Sequence, residues 1–100
     1  MDEGKGFKVK RLTVNPGQST SLQFHKCRSE RWTIIQGEAT VLLGNEIHKI
    51  LKGDCIFIPI EEKHMLSNKG ESVMQLIEVQ LGNYLEEDDI VRLEDLYGRN

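Results

Sequence analysis

Turn-forming residues recur so regularly along this chain that no long helix fits between them. They fall at Asn15-Pro16-Gly17, Gln36-Gly37, Gly44-Asn45, Lys52-Gly53-Asp54, Asn68-Lys69-Gly70 and Gly82-Asn83. Glycine and asparagine tolerate positive φ and proline presets φ, so each of these reads as a reversal. The runs between them are short and rich in apolar and β-branched residues: 9–14, 20–24, 31–35, 39–43, 46–51, 55–58, 64–67 and 73–79. Most alternate at least partly, with the period of a half-buried strand. Leu43-Gly44-Asn45-Glu46 has the form of a two-residue hairpin loop. Such a series of strands predicts an all-β sandwich or barrel, of which a double-sheet jelly roll is one solution.

The tail changes character after Gly82. An acidic cluster, Glu86-Glu87-Asp88-Asp89, precedes Ile90-Val91-Arg92-Leu93-Glu94-Asp95-Leu96-Tyr97. Asp88 or Asp89 can cap a short helix with Ile90, Leu93 and Leu96 on one face. An extended arm packed across the barrel is equally allowed. The acidic run by itself reads as a solvated or helix-capping face.

At 100 residues the chain is sized for one domain, spanning 1–100, and is too short for a TIM barrel or a complete dinucleotide-binding enzyme. Its net charge of −3 argues against nucleic acid as a partner, since phosphate binding needs a basic face. No apolar run approaches the length of a membrane span, and Met1-Asp2-Glu3-Gly4-Lys5-Gly6 has no signal-peptide core. Cys27 and Cys55 lie far apart and form no C-x-x-C pair. Reduced thiols and a cytoplasmic location are therefore expected.

The residues that carry chemistry are few. Gln23 and His25 are two apart in a strand-like run, which places them on one face. Glu30 follows a polar connection, and His64 comes just after the 59–63 loop. If the sheet closes over itself, these four converge, offering one amide oxygen, two imidazoles and a carboxylate. Such a set suits a divalent metal ion (Zn, Mn, Co, Ni or Fe) and leaves positions open for a substrate. The plainer reading puts the same residues on the wet face of an antiparallel strand. Trp32 and Cys55 are expected in the core, and His48 on the surface.

The spacing favours the sharper reading. Gly17, Gln23, His25, Glu30 and Gly37 resemble the first cupin motif with its first histidine replaced by glutamine. Gly53, Pro59, His64 and Asn68 resemble the second, with Glu61 in place of its usual glycine. More closely, residues 23–32, Gln-Phe-His-Lys-Cys-Arg-Ser-Glu-Arg-Trp, resemble the Q-M-H-H-H-R-A-E-H-W signature of type II mannose-6-phosphate isomerases. Phe57-Ile58-Pro59-Ile60 with His64 resembles their Y-I-P-x-G-x-x-H segment, and residues 76–80, 82–92 and 97–99 resemble their ending. The likeness runs from about Phe7 to Arg99. In that family the domain often forms the C-terminal part of mannose-1-phosphate guanylyltransferases.

The resemblance implies a cupin barrel and a metal-dependent interconversion of mannose 6-phosphate and fructose 6-phosphate through an enediol. The cation stabilises the enediolate, and a base must sit within reach of the carbon. Glu78, sharing a strand face with Leu76 and Gln80, is the candidate base; a positioning role is its plainer alternative. Arg28, on the arginine of the signature, is the candidate phosphate ligand and catalytic cation, with Lys26, Arg31 and Arg99 behind it. Lys26, Cys27 and Arg31 replace three signature histidines, and Glu61 is expected to reshape its loop. These departures motivate a rival reading, a non-catalytic cupin that binds sugar phosphates. An oxygen-using metal cupin is a third. Without the glycine-rich nucleotide-binding module of the fused enzymes, guanylyl transfer by this polypeptide alone is not expected. A separate nucleotidyltransferase and a second copy of the chain, covering exposed sheet edges through residues 7–14 or the C-terminal arm, are the expected partners.

Overall fold

The structure is a computed structural model and describes residues 2–86 and 88–93. Among the described residues ten strands follow one another: β1 (Asp2–Gly4), β2 (Phe7–Val14), β3 (Gln23–Phe24), β4 (Arg28–Gln36), β5 (Glu38–Leu43), β6 (Glu46–Leu51), β7 (Cys55–Ile58), β8 (His64–Ser67), β9 (Met74–Gly82) and β10 (Val91–Arg92). They form two five-stranded sheets, ordered β1-β2-β9-β4-β7 and β10-β3-β8-β5-β6. All pairings are antiparallel. The fold is the expected all-β jelly roll.

Local chemistry accounts for most of the reversals. Leu43 pairs with Glu46, so the β5–β6 loop has two residues, and Gly44 supplies its positive φ of 61°. Gly82 serves a different need: a Cβ there would lie 2.3 Å from the Cys27 carbonyl oxygen. Its bare backbone lets β9 run hard against the start of β4, where Arg28 pairs with Gly82. Glu61 corrects an expectation. Instead of reshaping its loop, it adopts φ 67°, the left-handed conformation a glycine would take. Its N–H donates to the His25 carbonyl at 2.7 Å, which ties the turn to the neighbouring connection.

The inward residues fall into two groups. Val14, Ile34, Val41, Ile50, Leu66, Met74 and Leu76 fill one end of the interior, with Trp32 and Ile58 beside them. Each such side chain contributes roughly 1.5–3 kcal/mol by leaving water. His25, Arg28, Glu30, His64, Glu78 and Gln80 are also buried, and they occupy the other end. Strand register produces the division. Along β4 the inward series is Arg28, Glu30, Trp32, Ile34; along β9 it is Gln80, Glu78, Leu76, Met74. Pairing sets Glu30 beside Gln80, Trp32 beside Glu78 and Ile34 beside Leu76.

The tail is an extended arm through Arg92, with Val91 and Arg92 paired to Phe24 and Gln23. The alternative helix reading is overturned for residues 88–92; its distal part, with Leu96, lies outside the described residues, as does Arg99. Cys55 is exposed, not in the core, because its strand phase turns it outward, where its sulfur meets Thr33 Oγ1 at 3.1 Å. Trp32 is buried as expected. Among the described residues no helix is long and apolar enough to cross a membrane.

Candidate metal centre

His25 stands just past β3, Glu30 in β4 and His64 at the start of β8. Donor atoms of the three lie within 4.8 Å of one another, and all three residues are buried. Gln23, half-buried on β3, sits directly across from His64 and lines the same cavity, whose volume is about 220 Å³. The structure thus brings together all four residues singled out for metal binding.

Both imidazoles are held in one tautomer. His25 Nδ1 donates to the backbone carbonyl of Asp89, and His64 Nδ1 donates to that of Glu62 at 3.0 Å. A carbonyl can only accept, so Nδ1 carries a hydrogen in each ring, and the neutral form of either ring presents its lone pair at Nε2. The Arg28 guanidinium, which can only donate, meets His25 Nε2 at 3.3 Å. His64 also loses basicity through burial, which outweighs its bond to Glu62 and keeps the ring neutral.

Glu30 is the anionic member. Burial would raise its pKa, but the Glu78 hydrogen bond and the Arg28 charge pull it down to about 2. Arg28 Nε donates to Glu30 Oε2 at 2.8 Å, and Trp32 Nε1 donates to Oε1 at 2.8 Å. Glu78 is driven the other way: burial first, then the bond to Glu30 and its charge, push it up to about 8. Gln80 Nε2 donates to Glu78 Oε1 at 3.2 Å. The Gln80 Oε1 atom is buried with no hydrogen-bond partner among the described residues.

This donor set fits a divalent cation. His25 Nε2 and Glu30 Oε2 are 3.4 Å apart, and with the ring neutral both atoms offer lone pairs to a shared positive centre. Arg28 is that centre here. A metal ion bound by the same two atoms would displace its hydrogen bonds.

The other cations expected at the site are placed differently. Strand alternation puts Arg31 on the outer sheet face, its guanidinium 4.7 Å from the centre of the Phe57 ring and on the far side from the cavity. Lys26 and Cys27 are exposed. Lys10 and Arg92 line the cavity instead. Lys10 could have been found from its phase with Leu12 and Val14 on β2, and it pairs with Glu78. Arg92 and Asp89 depend on how the arm crosses the barrel, which no local pattern signals.

The family described as Mannose-6-phosphate isomerase C-terminal matches residues 1–95. The chain belongs to this family. Within the Mannose-6-phosphate isomerase C-terminal family, it is 48% identical over 99 residues to the xanthan biosynthesis protein XanB of Xanthomonas campestris pv. campestris. It is 44% identical over 99 residues to the mannose-1-phosphate guanylyltransferase ManC of Salmonella typhimurium. Each match takes in 99% of this chain and 21% of the relative, so the chain spans about a fifth of these proteins' length. Among solved structures, a conserved Klebsiella pneumoniae protein with a double-stranded β-helix domain superimposes with a TM-score of 0.79 at 22% identity. That alignment covers 90% of this chain and 76% of the other, and it shows the cupin fold.

Proposed function

We propose that this domain is a metal-dependent sugar-phosphate isomerase that interconverts mannose 6-phosphate and fructose 6-phosphate. The observation that carries the reading is the pair Glu30 and Glu78, buried side by side beside two imidazoles that present Nε2 lone pairs. Their environments drive them to opposite protonation states, a pattern that separates a permanent anion from a group able to exchange a proton near neutral pH. The family's description and the guanylyltransferase relatives support the sugar-phosphate class.

His25, Glu30 and His64 would hold the cation, with Gln23 as a further oxygen donor. When bound, a divalent ion supplies Lewis acidity to the sugar oxygens. Glu78, as carboxylate, takes the proton from C2 of the aldose and returns it to C1, while the O2 hydroxyl proton passes to O1, so that the carbonyl moves from C1 to C2. Gln80 Oε1 accepts a hydrogen bond from a sugar hydroxyl. Arg28, whose present partners Glu30 and His25 would hold the cation, would join Lys10 and Arg92 in binding phosphate. Trp32 and the apolar residues behind it close the floor of the cavity to water.

The departures at Lys26, Cys27 and Arg31 lie outside this interior, which weakens the rival reading of a binding module without catalysis. The decisive experiment supplies the purified protein with Mn²⁺, Co²⁺ or Zn²⁺ and couples fructose 6-phosphate formation to a spectroscopic readout. Turnover is expected. Calorimetric binding of mannose 6-phosphate with no turnover on any of the three metals would favour the binding module.

A nucleotidyltransferase, in the same or another polypeptide, is the proposed working partner, and the cytoplasm the proposed location. A second copy is the proposed cover for the outer face of the first sheet, where Phe57 and Leu81 are exposed. A monomer mass in light scattering would exclude it.

A further inference from the structure

We propose that Asp89 is a positioning residue for the cation centre: it clasps the C-terminal arm onto the 25–27 connection and fixes the orientation of His25. The proposal rests on the reading of His25 as a metal ligand and extends it to a residue outside the ligand set.

Three hydrogen bonds converge on Asp89, which is 7% exposed. Its Oδ1 accepts from the Lys26 N–H and its Oδ2 from the Cys27 N–H, each at 2.9 Å. Its backbone carbonyl accepts from His25 Nδ1. One residue therefore grips the connection through its side chain while its main chain sets the ring. The carboxylate occupies two N–H groups that would otherwise lie unpaired where the chain leaves β3. The arm is secured on both sides of this point. The Asp89 N–H donates to the Glu86 carbonyl at 3.1 Å, and the Leu93 N–H donates to the Leu22 carbonyl at 2.8 Å. β10 completes the fastening by pairing with β3.

The consequence is chemical. With Nδ1–H committed to a carbonyl, Nε2 alone faces Glu30 and His64. If the clasp opens, the ring loses the acceptor that selects its tautomer, and the connection loses the anchor that sets its position. By linkage, a cation that prefers the ordered His25 also holds the arm closed. His64 makes a useful contrast, because its acceptor, the Glu62 carbonyl, is only two residues away and needs no distant segment.

The test uses the whole chain, with Co²⁺ as the probe, in wild type, Asp89→Ala, Asp89→Asn and Asp88→Ala. Co²⁺ affinity is read by calorimetry and by the visible absorption of the ion. The His25 tautomer is read by ¹⁵N correlation in the metal-free protein. Asp89→Ala is expected to weaken Co²⁺ binding roughly 10- to 100-fold, as loss of an outer partner of a ligand does, and to mix the tautomers. Asp89→Asn, which keeps one acceptor oxygen, is expected to recover part of that loss. Asp88→Ala is expected to bind as wild type; an equal loss in both alanine variants would mean that only tail charge matters, and would overturn the proposal. So would a folded Asp89→Ala with wild-type affinity and tautomer. Should Asp89→Ala not fold, amide exchange in the wild type decides: Co²⁺ must slow exchange at Lys26 and Cys27, and no slowing overturns the clasp. If the wild type binds no Co²⁺, the metal reading fails, while the clasp still stands or falls on the tautomer: a hydrogen on His25 Nε2 overturns it.

Discussion

The two ends of the barrel interior are built from the same strands yet obey opposite rules. At one end, Ile34, Leu66, Met74 and Leu76 are sealed from water and interact by contact alone. At the other, on the same β4, β8 and β9, the inward positions hold Glu30, His64, Glu78 and Gln80, equally buried but polar. Trp32 marks the boundary. Its ring stands edge-on to His64 with centroids 5.7 Å apart, and its Nε1 donates to Glu30. The apolar end needs only shape and volume, whereas each group at the polar end needs a partner of the right donor or acceptor character. The first end supplies stability, and the second spends some of it to keep charged groups ready for a ligand.

Neighbouring residues on β8 offer the largest test of that contrast. Leu66→Ala is expected to lower unfolding free energy by about 2–5 kcal/mol in urea titrations, with metal affinity of the folded protein intact. His64→Ala should do the reverse, with a modest stability change and a loss of Co²⁺ affinity of roughly 100-fold or more in calorimetry. If both variants lose stability alike and neither loses affinity, the two ends are one ordinary core.

Glu78 gives the next largest effect. Its pKa is raised from 4.5 to about 8, so the folded protein retains a proton that the unfolded chain gives up in that window. Glu78 therefore penalises folding increasingly as pH rises from 4.5 to 8. Glu30 acts oppositely: held at about 2, it contributes fully above 4.5 and loses that contribution as pH falls toward 2. Glu78→Gln should match wild type near pH 5 and be more stable near pH 8 by on the order of a few kcal/mol, seen as a higher unfolding temperature. Thermal melts in the presence of a chelator measure this. The same variant should abolish isomerisation.

Arg28→Met sharpens the comparison further by removing the resident cation of the polar end. It should bind Co²⁺ about tenfold more tightly, since the ion no longer competes with a guanidinium, while the KM for mannose 6-phosphate rises. Calorimetry and steady-state kinetics read the two effects separately. The smallest effect belongs to Glu61→Gly. Relief of a left-handed backbone should add about 1 kcal/mol of stability, seen as a shift in urea midpoint with no change in metal affinity.

Much of this molecule is legible in the chain because the rules involved are local. Gly44 and Gly82 announce reversals or close approaches, and alternation announces β5 through β8 within a residue or so of their bounds. The spacing of Gln23, His25, Glu30 and His64 announces a convergence that the barrel produces. β1 escaped notice because three residues carry no measurable period, and β10 was legible only as one of the two courses open to the tail, a helix or an extended arm.

The sequence by itself therefore determined the all-β class and most of the strand series, since turn chemistry and period-two patterning act over a few residues; the jelly roll and the candidate ligands came from resemblance to the two cupin motifs. Only the tertiary structure decided which charges reach the cavity. Arg31 and Lys26 lie beside the ligands in the chain and point elsewhere, while Lys10 and Arg92 arrive from distant strands. Asp89 is 64 residues from the histidine it orients. Such pairings depend on strand phase and on the path of an arm across a closed sheet, and both are set by the packing of the whole barrel.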